Sequence, residues 1–208
     1  AAKLRRPDAR VLLLDRSDFP RDKACGDGIA AHGRDELAKL GLPDLVADYK
    51  PTTKLSVVSP GGATVSATAA RPNHVVPRKV FDARLVDAAR TRGVEVRRHK
   101  VRALTQEAGT VDVDGIRARA VVAADGAGSA VRRLIGVPMT AERHTAIAVR
   151  GYADLPPGSE RADGAQFIAM QKQGWPAYAW SFPIGDGTAN IGFGLMLYCY
   201  FFGPEGMR

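Results

Sequence analysis

Apolar residues in this chain come in short runs separated by polar punctuation, and their period changes past residue 140. Residues 1–6 are good helix formers, and Pro7 ends them. Residues 10–15 (RVLLLD) form an apolar run bounded by charge, the pattern of a parallel strand buried on both faces. A helix is predicted over 31–40, closed by Gly41. Residues 55–67 contain two strand-like runs turning at Pro60, Gly61 and Gly62. Over 78–91 a helical period places Phe81, Leu85 and Ala89 on one face, and Gly93 stops it. Val94 and Val96 read as a short strand. A hairpin over 110–124 turns at Asp114 and Gly115, and its second arm runs through an apolar stretch to Asp125.

Beyond residue 141 the runs at 145–153, 165–170, 177–182 and 188–196 read as strands, with Asp186 and Gly187 as a hairpin signal. The fold class expected is α/β. Residues 1–140 would form an incomplete Rossmann-like domain, lacking its first strand and glycine-rich turn, with a strand-rich insertion near 50–76. Residues 141–208 would form part of an antiparallel-sheet substrate domain. The apolar, aromatic tail over 195–202 matches no pattern and would be aggregation-prone if exposed.

Composition narrows the function classes. The chain has 208 residues, 45% of them hydrophobic and 25% charged, which suits an ordinary globular protein with a sizeable core. No apolar run approaches the roughly 18 to 20 residues that span a bilayer, so a cytoplasmic location is expected, with room for peripheral contact at a membrane surface. The net charge of +8 is spread along the chain with no aromatics interleaved in a basic cluster, which argues against nucleic acid and for anionic ligands. Two cysteines, Cys25 and Cys199, make no disulfide framework, and the four histidines lack metal-ligand spacing.

Four constellations carry candidate chemistry. Asp15 closes the first strand, where a carboxylate suits the two vicinal hydroxyls of a ribose; a solvated strand-end aspartate reads the same way. Residues 22–29 (DKACGDGI) place Gly26 and Gly28 where backbone can approach a planar ligand, with Lys23 nearby and Cys25 either reactive or a small buried apolar residue. Residues 124–133 (ADGAGSAVRR) read as strand, turn and helix start, with Asp125 able to take a ribose hydroxyl and backbone amides favouring an anion. Over 175–194, alternation sends Tyr178, Trp180 and Phe182 to one face, while Gly192 and Gly194 on the next strand leave space for something to approach.

These stretches in this order, together with PRKVFDARL over 77–85 and YAWSFPIGDGTANIGFG over 178–194, resemble the geranylgeranyl reductase branch of FAD-dependent oxidoreductases, related to the para-hydroxybenzoate hydroxylase type. The resemblance covers residues 10–196. It implies FAD as cofactor, NAD(P)H or another reductant as electron donor, and reduction of carbon–carbon double bonds in an isoprenoid chain. Asp15 and Arg16 would bind the adenosine ribose. Arg78 would contact FAD near its phosphate or ribose, and Val101 would lie by the adenine. Asp125 and Gly126 would hold the ribose and pyrophosphate region. Cys25, Gly26, Asp27 and Gly28 would sit by the isoalloxazine, with Cys25 as the catalytic candidate. Tyr178, Trp180, Phe182 and Gly192 would line the cavity for a hydrophobic chain, and no metal is expected. A flavin monooxygenase or halogenase on the same scaffold, and a non-catalytic fragment, are the competing expectations.

Overall fold

The computed structural model describes all residues except 142, 143, 157, 159–163, 174 and 197–208, so part of the apolar tail lies outside the described residues. The chain opens on a short helix, α1 (Ala2–Arg5), followed by strand β1 (Leu12–Asp15). Strand β2 (Gly28–Ile29) leads into helix α2 (Ala31–Lys39). Strands β3 (Thr52–Val58) and β4 (Thr64–Val75) follow, then helix α3 (Arg78–Thr91) and strand β5 (Glu95–Arg98). A small meander comprises β6 (Leu104–Glu107), β7 (Thr110–Val113) and β8 (Ile116–Ala118). After helix α4 (Ala130–Leu134) come β9 (Ala146–Asp154), β10 (Gln166–Gln171), β11 (Ala177–Pro183) and β12 (Thr188–Met196).

Three sheets result among the described residues. β1 and β5 pair in parallel, with Leu13 opposite Val96 and Asp15 opposite Arg98. β6, β7 and β8 form a three-stranded sheet, and seven strands form the largest, in the order β2-β4-β3-β10-β11-β12-β9. Within it only β3 and β10 run parallel; every other neighbour is antiparallel. The strands after residue 145 therefore share one sheet with β3 and β4. Val75 and Val76, 1% and 0% exposed, and Ala189 at 0% anchor its core. Burying each valine contributes about 1.5–3 kcal/mol.

The turn chemistry explains the local connections. Asp114 and Gly115 both have positive φ, 49° and 85°, as a two-residue hairpin matching the twist of its strands requires. Gly41 at φ 69° closes α2, and Gly62 at φ 88° turns β3 into β4.

Two expectations are corrected, and the burial on α3 adds a residue that the periodicity did not mark. The run over 120–125 forms no strand: it finds no pairing strand among the described residues, and Val122 is 90% exposed. β1 is half-buried rather than buried on both faces, because β5 is its one paired neighbour among the described residues. On α3, the fully buried positions are Asp82 and Val86, with Phe81, Leu85 and Ala89 half-buried. The helix turns Asp82 inward because two arginines neutralise it there; an unpaired carboxylate would not tolerate that burial.

Candidate active site

The loop 22–28 runs across one face of the large sheet and is fastened to it at both ends. At its start Arg150 of β9 donates to the Asp22 carboxylate and, at 3.0 Å, to the Lys23 carbonyl. That arginine, 9% exposed in its side chain, also lies 4.6 Å over the Tyr152 ring. At the loop's end Asp27 is 2% exposed and adopts φ 60°. Its Oδ2 accepts from the Tyr152 hydroxyl at 2.7 Å and from the Asn190 amide at 2.7 Å. The Val76 amide donates to the Asp27 carbonyl at 2.9 Å, after which Gly28 and Ile29 pair with Val75 and His74.

The aromatic row lies on the same face. Register places Trp180 beside Gly192 and Arg150, and Phe182 beside Asn190 and Tyr152. Tyr178 and Trp180 have ring centroids 5.8 Å apart, and Trp180 and Phe182 6.4 Å. Trp180 is nearly buried at 8% exposed, and its indole N–H donates to the Asn190 side-chain oxygen at 2.8 Å. The glycines expected to admit a ligand instead admit these rings. A Cβ on Gly192 would sit 2.4 Å from Trp180 Cζ2, and one on Gly26 would sit 3.3 Å from Phe182 Cε2. Tyr178, at 43% exposed, is the open end of the row.

A chain of charges runs from the tip of β1 to Arg78. Arg21 lies 3.4 Å from Asp15 Oδ2 and 3.0 Å from Asp82 Oδ2. Arg78 grips Asp82 through two bonds, at 2.7 and 2.9 Å. The Asp82 bond holds the Arg78 guanidinium firmly protonated, against its burial. Asp15 and Arg78 are thus brought into one network by Arg21 and Asp82, neither of which the sequence singled out. The i, i+4 spacing of Arg78 and Asp82 was the available signal.

The remaining nucleotide-side residues are more open. Arg16 is exposed, with its carbonyl accepting from Arg98 at 3.4 Å. Val101 is half-buried in a loop pinned by Asp114, which takes the amides of Arg102 and Ala103 at 3.0 and 2.7 Å. Asp125 is exposed and accepts from the Ser129 hydroxyl at 2.5 Å and from the Val131 amide at 3.2 Å. The Ser129 bond is the main reason its carboxyl titrates below the ordinary range. The loop around it is bare backbone: Gly126 at φ 85° and Gly128 have nothing within 4 Å of a Cβ position. Asp15 Oδ1 holds only its own loop, through the Ser17 amide at 2.9 Å, and Oδ2 has one long contact. Free acceptors at one strand tip and exposed peptide beside the other carboxylate fit the sugar and phosphates of a dinucleotide.

Fold and site together define a dinucleotide-binding architecture. The sequence pattern of the FAD binding domain matches residues 4–175, and the chain belongs to that family. It is 32% identical over 211 residues to menaquinone reductase of Mycolicibacterium smegmatis, covering 94% of this chain and 51% of that protein. It is 33% identical over 199 residues to digeranylgeranylglycerophospholipid reductase 1 of Methanopyrus kandleri, covering 89% and 51%. The resemblance read from the sequence is thereby borne out, and the chain spans about half the length of the curated relatives it matches. Its fold is similar to that of a solved flavin-dependent halogenase, with a TM-score of 0.76, 22% identity, and coverage of 99% of this chain and 41% of that one. Among the described residues no three metal-ligating side chains cluster, and no helix is long and apolar enough to cross a membrane.

Proposed function

We propose that this chain forms part of an FAD-dependent oxidoreductase that reduces carbon–carbon double bonds of an isoprenoid chain. The observation that carries this reading is the seat of the Cys25 loop on the aromatic strand: the Cys25 carbonyl accepts from Asn190 at 2.8 Å, and a Cβ on the adjoining Gly26 would lie 3.3 Å from Phe182. The names of the two relatives support a reductase, and one is named for a digeranylgeranyl lipid.

Asp15 and Arg16 would hold the adenosine ribose, Val101 the adenine edge, and Asp125 and Gly126 the sugar–pyrophosphate region. Arg78 would add positive charge toward the phosphates while staying clamped by Asp82. Bound FAD, reduced by NAD(P)H or another donor, supplies the hydride such a reaction needs. The chain's own residues do the rest. Tyr178, at the open end of the row, and Phe182, against the Cys25 loop, would give an isoprenoid apolar surface without polar handles and exclude water from the alkene, with Trp180 held in place against Gly192. Cys25 stands as the group that orients the reacting carbon or returns a proton to it.

The test is anaerobic incubation of the protein with reduced flavin and a geranylgeranyl lipid. Product gaining two hydrogens per double bond is expected, with Cys25→Ser slowing turnover about a hundredfold if the thiol handles the proton. Product formation that requires oxygen would contradict the reading and mark a monooxygenase or halogenase.

A further inference from the structure

We propose that Asn190 is a positioning residue that sets where Cys25 stands relative to the aromatic strand. This rests on reading Cys25 as the group beside the reacting carbon. Asn190 is 0% exposed, and its amide is spent on groups of the site. The side-chain nitrogen donates to the Cys25 carbonyl at 2.8 Å and to Asp27 Oδ2 at 2.7 Å. The side-chain oxygen accepts from Trp180 Nε1 at 2.8 Å. One amide therefore fixes the backbone of Cys25, the carboxylate two residues on, and the ring beneath the loop.

Asparagine is required here by its chemistry. Aspartate is acceptor-only and would face both a carbonyl and a carboxylate; serine has one proton to give and two acceptors to serve; glutamine carries an extra methylene into a site with no exposed surface. The loop also has little slack of its own. Gly26 rests on Phe182, and Asp27 holds a left-handed backbone that an L-residue keeps only when its surroundings over-determine it. Its carboxylate, bonded to Asn190 and Tyr152, is what over-determines it. Releasing Asn190 would free both constraints and let the Cys25 backbone move away from Trp180.

The experiment reads Cys25 directly, as its rate of alkylation by iodoacetamide in a Cys199→Ser background, alongside the thermal midpoint. Asn190→Asp is expected to raise the rate about tenfold, the scale of losing one buried hydrogen bond that held the loop closed. The paired change Asp27→Asn with Asn190→Asp re-forms the side-chain bond with donor and acceptor exchanged, yet leaves the Cys25 carbonyl facing an acceptor. Its midpoint is expected to recover toward the parent while alkylation stays fast. Alkylation that returns to the parent rate together with the midpoint would show that Asn190 only packs, and would overturn the proposal; so would a parent-like rate in Asn190→Asp. Should Asn190→Asp not fold, the paired variant decides alone by the same criterion. No flavin or alkene enters this assay, so its failure leaves the FAD reading standing, and failure of the FAD reading appears only in the turnover assay.

Discussion

On the sheet side of the site, Asn190 and Ala189 are 0% exposed, Trp180 is 8% exposed, and each hydrogen-bonding group of Asn190 has a partner within the chain. On the strand-tip side, Asp125 and Arg16 are exposed and Asp15 keeps an oxygen with only a 3.4 Å contact. One side is buried, with the Asn190 amide fully answered, and offers shape; the other offers acceptors and bare peptide. That division suits a reaction between a ligand rich in polar handles and one with almost none. The charged chain Asp15–Arg21–Asp82–Arg78 ties the tip of β1 to the start of α3.

The comparison breaks most visibly at Gly192. A methyl group there meets the Val149 carbonyl at 2.4 Å as well as the indole, and neither backbone nor a buried ring yields easily. Gly192→Ala should lower unfolding free energy by about 3 kcal/mol in a urea titration, whereas Gly128→Ala, which meets nothing, should change it far less.

A smaller effect belongs to His74, 5% exposed with Nδ1 lacking a partner. Burial, helped by Arg34, lowers its pKa below 6.5, so the folded state binds fewer protons than the unfolded one. Its contribution is intact above pH 6.5 and is lost as pH falls below that value. Urea midpoints should drop on acidification through this window in the parent, and His74→Gln should flatten that part of the dependence.

The smallest stability effect is expected at the strand-tip side. Ser129→Ala removes the cap that accepts the Arg132 amide at 3.0 Å and the donor to Asp125. It should cost about 1 kcal/mol by the same titration. With that donor gone, the Asp125 carboxyl should titrate higher, read by carbon NMR of the carboxylate.

Local elements were largely legible in the sequence. The helix over 78–91, the hairpin at Asp114 and Gly115, and the strands from 146 to 196 follow from period and turn residues, and they form where expected. What failed needed tertiary knowledge. The apolar run at 120–125 reads as a strand only if something pairs with it. The burial of Asp82 depends on Arg21, 61 positions away, and no periodicity reveals it. Gly192 was read as space, since a sequence shows that a glycine lacks a side chain without showing whose ring fills the gap. Asn190 sat inside a quoted run without a role, because its partners Cys25 and Asp27 are 165 and 163 positions distant.

FAD binding by this fold requires Asp15 to present an acceptor to the nucleotide, and calorimetric titration with FAD tests this most directly. Asp15→Ala is expected to weaken FAD binding about tenfold or more, while Asp18→Ala, three positions on and paired at the surface with Arg98, leaves it unchanged. Equal affinity in the parent and Asp15→Ala would contradict the account.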